Sequence, residues 1–243
     1  MARPQKKYHT NLSNLRYYLV PIIILLLGLQ SQGQTTTGSS GLINTPEGEI
    51  RPDKTMLIGC NFLPVGQAGP KFNYNTGNYY FNLSFLPFLE ATYRLTFFRT
   101  NGKITNQDRS FGAKLQFLKE KKVTPSLLIG MDDIYTESTT GGNQYFASAF
   151  LATSKTFRTT AHIFRLSAGY GLNTKGRERL SGFFGGISYS PQRFTRLKVM
   201  AEYDTRNINV AGSLLIARHL NLYGGYYGNQ KLAAGIAWRF LLN

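Results

Sequence analysis

The chain has 243 residues, 28 Lys and Arg against 12 Asp and Glu, one Cys, and 42% hydrophobic residues; that length suits one domain or two small ones. A mean hydropathy of -0.22 excludes a bundle of membrane helices, which needs several apolar runs of roughly 20 residues. The single Cys excludes an internal disulfide framework and Cys-rich zinc sites, while 25 Gly, 15 Tyr and 17 Phe lean towards short strands and tight turns.

The first 33 residues read as a secretory signal peptide. Arg3, Lys6, Lys7 and Arg16 precede an apolar stretch from Leu19 to Leu29, and small residues, Ser31 and Gly33, flank Gln32 before a cleavage point near Gly33–Gln34. The stretch is short for a membrane span and is broken by Pro21. Without these four bases the chain keeps 24 basic residues against 12 acidic ones. An exported basic protein meets lipid phosphates and anionic polysaccharides rather than nucleic acid. Residues 34–52, which open on a Gln/Thr/Gly/Ser-rich run, read as a flexible leader. Leu57-Ile58-Gly59-Cys60 spells a lipoprotein-type box, but Arg51, Asp53 and Lys54 stand just before it, so Cys60 reads as an ordinary strand residue.

From residue 53 onward the pattern is alternation with a period of two. Leu89, Ala91, Tyr93, Leu95 and Phe97 alternate with Glu90, Thr92, Arg94 and Thr96; in a strand this makes one face oily and the other polar. Phe111 to Phe117, Leu197 to Tyr203 and Leu232 to Phe240 repeat it. Twelve strands are predicted, near 54–63, 78–86, 88–99, 109–118, 124–133, 145–155, 161–171, 182–190, 195–205, 207–217, 219–226 and 230–241. Each approaches the roughly 9–11 residues with which a tilted strand crosses a bilayer.

The connections after strands 2, 4, 6, 8 and 10 are tight. Those after strands 1, 3, 5 and 7 are predicted longer and polar, such as Pro64–Gly77 and Ile134–Gln144, while the two after strands 9 and 11 break the trend by being short. Short turns at one rim and long loops at the other define an outer-membrane barrel with periplasmic turns. A soluble sandwich or lipocalin-like barrel would also alternate, with its oily face inward. The signal peptide, the one-sided loops, and Trp238 and Phe240 near the C-terminus favour an all-β antiparallel transmembrane barrel in the outer membrane of a Gram-negative cell. In lipid no sheet edge can stay open, so Lys231–Leu241 is expected to pair with Thr55–Leu63.

With the oily face outward, the lumen receives Glu90, Arg94, Lys114, Asp132, Arg165, Lys198, Glu202, Asp204, Lys231 and Arg239. These could line a mildly basic path for acidic sugars or form a charge network that packs the interior, and the lumen could be closed by side chains and a terminal segment. Catalytic signals are thin. His162 and His219 fall near the tight-turn rim with no marked Ser or carboxylate partner, and the residues offer no metal-ligand spacing and no phosphate loop. The expectation is therefore a non-enzymatic barrel with no cofactor or metal. Asn82-Leu83-Ser84 fits a glycosylation pattern but lies within a predicted strand.

Gly41-Leu42-Ile43-Asn44-Thr45-Pro46, followed by Arg51-Pro52-Asp53, resembles the opening of YjbH-like exopolysaccharide proteins. Leu86-Pro87-Phe88-Leu89-Glu90 is similar to that family's first tight hairpin. The stretches Asp108 to Glu120 with Pro125-Ser126-Leu127, Phe146 to Lys155, and Lys198 to Asp204 fit in order. The resemblance spans about Gly41 to Asp204 and implies an outer-membrane β-barrel associated with secretion of exopolysaccharide or capsule. Larger members carry two barrel-like units, and this chain has one. The implied partners are outer-membrane lipid, acidic polysaccharide and other envelope proteins. Two roles follow, assistance in polymer passage or surface attachment and a structural subunit beside a larger machine; a lipid-modifying enzyme is a third.

Overall fold

The computed structural model describes residues 33–67, 73–133, 147–172, 179–228 and 231–242. The signal-peptide reading of residues 1–32 and the predicted loop Ile134–Gln144 lie outside them.

Twelve strands form one closed antiparallel barrel: β1 (Thr55–Leu63), β2 (Thr76–Leu86), β3 (Leu89–Thr100), β4 (Lys103–Leu118), β5 (Ser126–Asp132), β6 (Ser148–Arg158), β7 (His162–Leu172), β8 (Gly182–Pro191), β9 (Leu197–Tyr203), β10 (Ile208–Ile216), β11 (Leu220–Tyr227) and β12 (Lys231–Leu241). Each strand pairs with its neighbours in sequence. β12 closes onto β1, from Thr55 opposite Leu241 to Phe62 opposite Ala234, which satisfies the backbone groups that a free edge would strand in lipid.

The side chains sort as the alternation demands. Phe117, Val199 and Trp238 are 55%, 41% and 47% exposed on the outer wall, whereas Arg94 and Lys198 are 2% and 7% exposed inside. A soluble barrel would invert this, so the fold is a transmembrane one. Aromatic groups gather at both rims. Near the short turns, Phe164 packs on Tyr189 at 5.1 Å and His219 stacks on Trp238 at 5.9 Å; at the outer rim, Tyr79 meets Phe97 at 5.6 Å and Tyr170 meets Phe183 at 4.9 Å. Cys60 points outward from β1, and Asn82 is buried in the lumen.

Two expectations need correction. The connection after β3 is not a long loop but a two-residue turn, Asn101–Gly102, with φ of 51° and 76°. Positive φ at both central residues is the tight hairpin geometry that Asn-Gly favours. The polar run from Lys103 to Gln107 extends β4 as exposed strand; with water on both faces it needs no alternation.

The second correction concerns the leader. Of residues 33–48, every one is buried. This segment fills the lumen as a plug, and its irregular backbone is tolerated there because the barrel wall supplies partners for its polar groups.

Candidate functional site

The plug enters the lumen beside Gly33 and returns to the short-turn rim at Pro52, ahead of β1. Its deepest part is the turn built by the Gly41–Pro46 motif, where Leu42 N donates to Thr45 O at 2.9 Å. The turn points three consecutive amides at one carboxylate. Ile43 N and Thr45 N donate to Glu202 Oε2 at 2.9 and 3.0 Å, and Asn44 N donates to Oε1 at 2.7 Å. Thr45 Oγ1 and Asn209 Nδ2 add bonds of 2.8 and 2.9 Å. A buried carboxylate is costly unless its lone pairs are met; here five donors meet them.

Asp204, in the β9–β10 turn, takes the next residue of the motif: Asn44 Nδ2 donates to it at 2.8 Å. Burial pushes its carboxyl up, but bonds from Asn209, Asn207 N, Asn44 and Tyr227 outweigh this and hold it below the ordinary range. On the opposite wall, Asn61 and Asn78 both donate to Thr36 O, at 3.0 and 2.8 Å. Arg179 donates to Thr36 Oγ1 at 2.7 Å and to Asn44 Oδ1.

Apolar contacts reinforce the fit. Leu42 and Ile43 cluster with Met200, Ala211, Tyr223, Tyr227 and Ala233, and Ile50 joins Leu128, Phe150 and Phe184. Fully burying an aliphatic side chain contributes roughly 1.5–3 kcal/mol. Gly38, at φ +89°, lies against the Tyr80 ring, which a Cβ would strike; glycine is needed there on both counts.

Towards the short-turn rim the plug is held by charge. Glu90, on β3, accepts from Ser40 N at 2.7 Å and Arg51 N at 3.1 Å, with Lys114 Nζ 3.9 Å away. Lys114 itself donates to Ser40 O. Arg51 is 2% exposed and donates to Asn82 Oδ1 at 3.0 Å and Gly33 O at 3.3 Å. Glu47 pairs with Lys198 at 3.1 Å and Arg165 at 3.4 Å, and Arg165 reaches Glu49 at 2.7 Å. Burial raises the Glu47 carboxyl, but Lys198 and Arg165 outweigh it and bring it down to about 2.

Six of the ten lumen residues read from the sequence therefore converge on the plug: Glu90, Lys114, Arg165, Lys198, Glu202 and Asp204. Arg94 sits deep among the carboxylates of Asp108, Asp132 and Asp133. Lys231 and Arg239 share the lumen-facing parity but stand at opposite ends. Lys231 is exposed at the outer rim, bonded to Val65 O at 2.8 Å, and Arg239 bonds Arg218 O at the short-turn rim, also at 2.8 Å. Glu47, Glu49 and Arg51 were missed as lumen groups, although three charges so close together in a supposed leader were a signal. Asn61, Asn78 and Asn209 carried none, because a neutral amide on the polar face of a strand resembles any other.

Beneath the plug a cavity of about 930 Å³ opens at the short-turn rim. It is lined by the β4–β5 turn, the ends of β6 and β8, the start of β7, and the plug residues Glu47, Glu49 and Arg51. The two rim histidines lie apart from it: His162 Nδ1 is 3.1 Å from Tyr189 OH, and His219 Nδ1 is 3.0 Å from Arg239 O.

A closed barrel with an oily exterior and a lumen occupied by its own N-terminal segment defines a plugged transmembrane β-barrel. The family model YjbH, described as exopolysaccharide biosynthesis protein YbjH, matches residues 33–182, and the chain belongs to this family. The match begins with the plug. Among solved structures, the outer membrane phospholipase A from Escherichia coli is similar at 12% identity, with a TM-score of 0.40, covering 79% of this chain and 93% of that one. No curated protein sequence matches.

Proposed function

We propose that this chain is a non-enzymatic outer-membrane barrel that assists the secretion or surface attachment of exopolysaccharide or capsule, without conducting polymer through its own lumen. Family membership supports the link to exopolysaccharide. The observation that carries the rest is the seated plug: Glu202 on β9, Glu90 on β3 and Lys198 on β9 all bind residues 40–47, leaving the charged wall occupied by the protein itself. The open cavity lies at the short-turn face, where a chain bound for secretion meets the barrel. Deleting the gene and staining for surface polymer tests the role; unchanged polymer would contradict it.

The same plug favours a second reading, a structural barrel docked beside a larger outer-membrane machine. Co-purification of a stable envelope partner, with no polymer binding by the isolated barrel, would select that reading. A lipid-modifying role would require His162 or His219 to act at the membrane rim. Replacing both with Gln is expected to leave lipid composition unchanged; an altered composition would make the barrel an enzyme.

A further inference from the structure

We infer that the cavity at the short-turn rim is a binding cleft for an acidic polysaccharide segment, gripped at its entrance by Lys121, Lys122 and Arg158. This rests on the exopolysaccharide reading above and names the ligand chemistry of that face. The lining carries seven cations, Arg51, Lys121, Lys122, Lys155, Arg158, Arg165 and Lys198, against three carboxylates, Glu47, Glu49 and Glu120. A concave, low-dielectric wall of one net sign focuses its field and concentrates counter-ions.

The cations are not equally available. Lys155 is spent on the turn, donating to Lys121 O at 2.6 Å and Lys122 O at 3.0 Å, with Glu120 at 3.6 Å. Arg165 and Lys198 hold the plug glutamates, and Arg51 is buried on Asn82 and plug carbonyls. Lys121, Lys122 and Arg158 remain at the solvent edge, all exposed. The Thr156 hydroxyl is spent between Glu120, at 2.8 Å, and Arg165, at 2.9 Å; behind the outer cations the wall offers the hydroxyls of Ser188 and Ser190 and the apolar side chain of Ile163. Hydroxyls and a small apolar surface suit sugar rings, and the outer cations suit their carboxylates. The volume lies within the roughly 300–1,000 Å³ of ligand clefts. A lipid headgroup fits less well, because the cleft opens into the barrel and the acyl chains lie outside its wall.

The test uses the purified full chain in nanodiscs of zwitterionic lipid, titrated with polygalacturonate oligomers and with neutral dextran oligomers. Polygalacturonate is expected to bind, more weakly as salt rises, and dextran is not. The triple variant Lys121→Glu, Lys122→Glu, Arg158→Glu is expected to lose at least tenfold in affinity while keeping its heat-modifiable migration. The matched variant Arg99→Glu, Lys103→Glu, Arg109→Glu, altered on exposed outer residues, is expected to stay within about twofold of the parent. Equal loss in both variants, equal binding of dextran, or displacement of the oligomer by phosphatidylglycerol vesicles would overturn the cleft. The staining experiment is separate: oligomer binding with normal surface polymer supports the cleft and sinks the exopolysaccharide role, and altered polymer without oligomer binding does the reverse.

Discussion

The outer and inner halves of the lumen hold one segment by different chemistry. In the outer half a single carboxylate, Glu202, collects backbone amides of the Gly41–Pro46 turn, and neutral Asn side chains from β1 and β2 close on Thr36. In the inner half, ion pairs join Glu47 and Glu49 to Arg165 and Lys198 around an open cavity. Around Glu202 the amide-held end is buried, so salt screens it little. The ion-paired end is partly wet, with the Arg165 side chain 20% exposed, so screening and competing anions reach it. The contrast teaches that one segment can close a barrel firmly at one rim while leaving a responsive, charged mouth at the other.

Removing the amide receptor should do the most damage. Glu202→Ala strands the three buried amides of Ile43, Asn44 and Thr45, at roughly 1–3 kcal/mol for each donor. Hydrogen-exchange protection of these amides is expected to fall at least tenfold, since about 1.4 kcal/mol corresponds to tenfold. Unchanged protection would mean that the turn does not depend on Glu202. Glu202→Gln keeps one acceptor oxygen and is expected to fall between the parent and the alanine variant.

At the other end, Glu47→Gln removes a charged partner worth roughly 1.5–3 kcal/mol, reduced by the wetness of Arg165 and by the pairing that Glu49 retains. Exchange should rise around Glu47 and Gly48 but not around Asn44. A rise at both ends alike would erase the contrast between the halves.

Acid should reveal the same asymmetry. Folding lowers the Glu47 carboxyl from an ordinary 4.5 to about 2. Its contribution is therefore complete above about pH 4.5 and is lost as pH falls towards 2. Tracking amide protection along the plug against pH should show the inner half loosening over that window. Loosening between pH 7 and 5 would contradict the assigned ion pairs.

The smallest effect belongs to a region outside the plug. Gly102→Ala, at φ +76° with open space around it, should cost about 1 kcal/mol of strain. It should lower the urea midpoint of the barrel slightly and leave plug exchange unchanged.

How legible was all this in the sequence? Strands such as β3, β7 and β12 begin and end within about two residues of their expected bounds, because lipid on one side and a polar lumen on the other impose a period of two on every crossing residue. That constraint lapses above the membrane, which is why Lys103–Gln107 looked like loop while it continues β4. It lapses again for the plug. An irregular segment has no repeating face, and its burial depends on donors and acceptors from strands more than 100 residues away, such as Ser154 Oγ, which accepts from Gly48 N. Glu202 and Lys198 were readable as lumen residues, whereas their partners in the Gly41–Arg51 stretch looked like solvated chain.

Single-channel recording in planar bilayers bears most directly on the closed lumen. The full chain is expected to give no stable conductance, whereas a variant lacking residues 34–50, with barrel closure checked by heat-modifiable migration, should give steady steps. A constant open conductance from the full chain, unaltered by that deletion, would contradict the account.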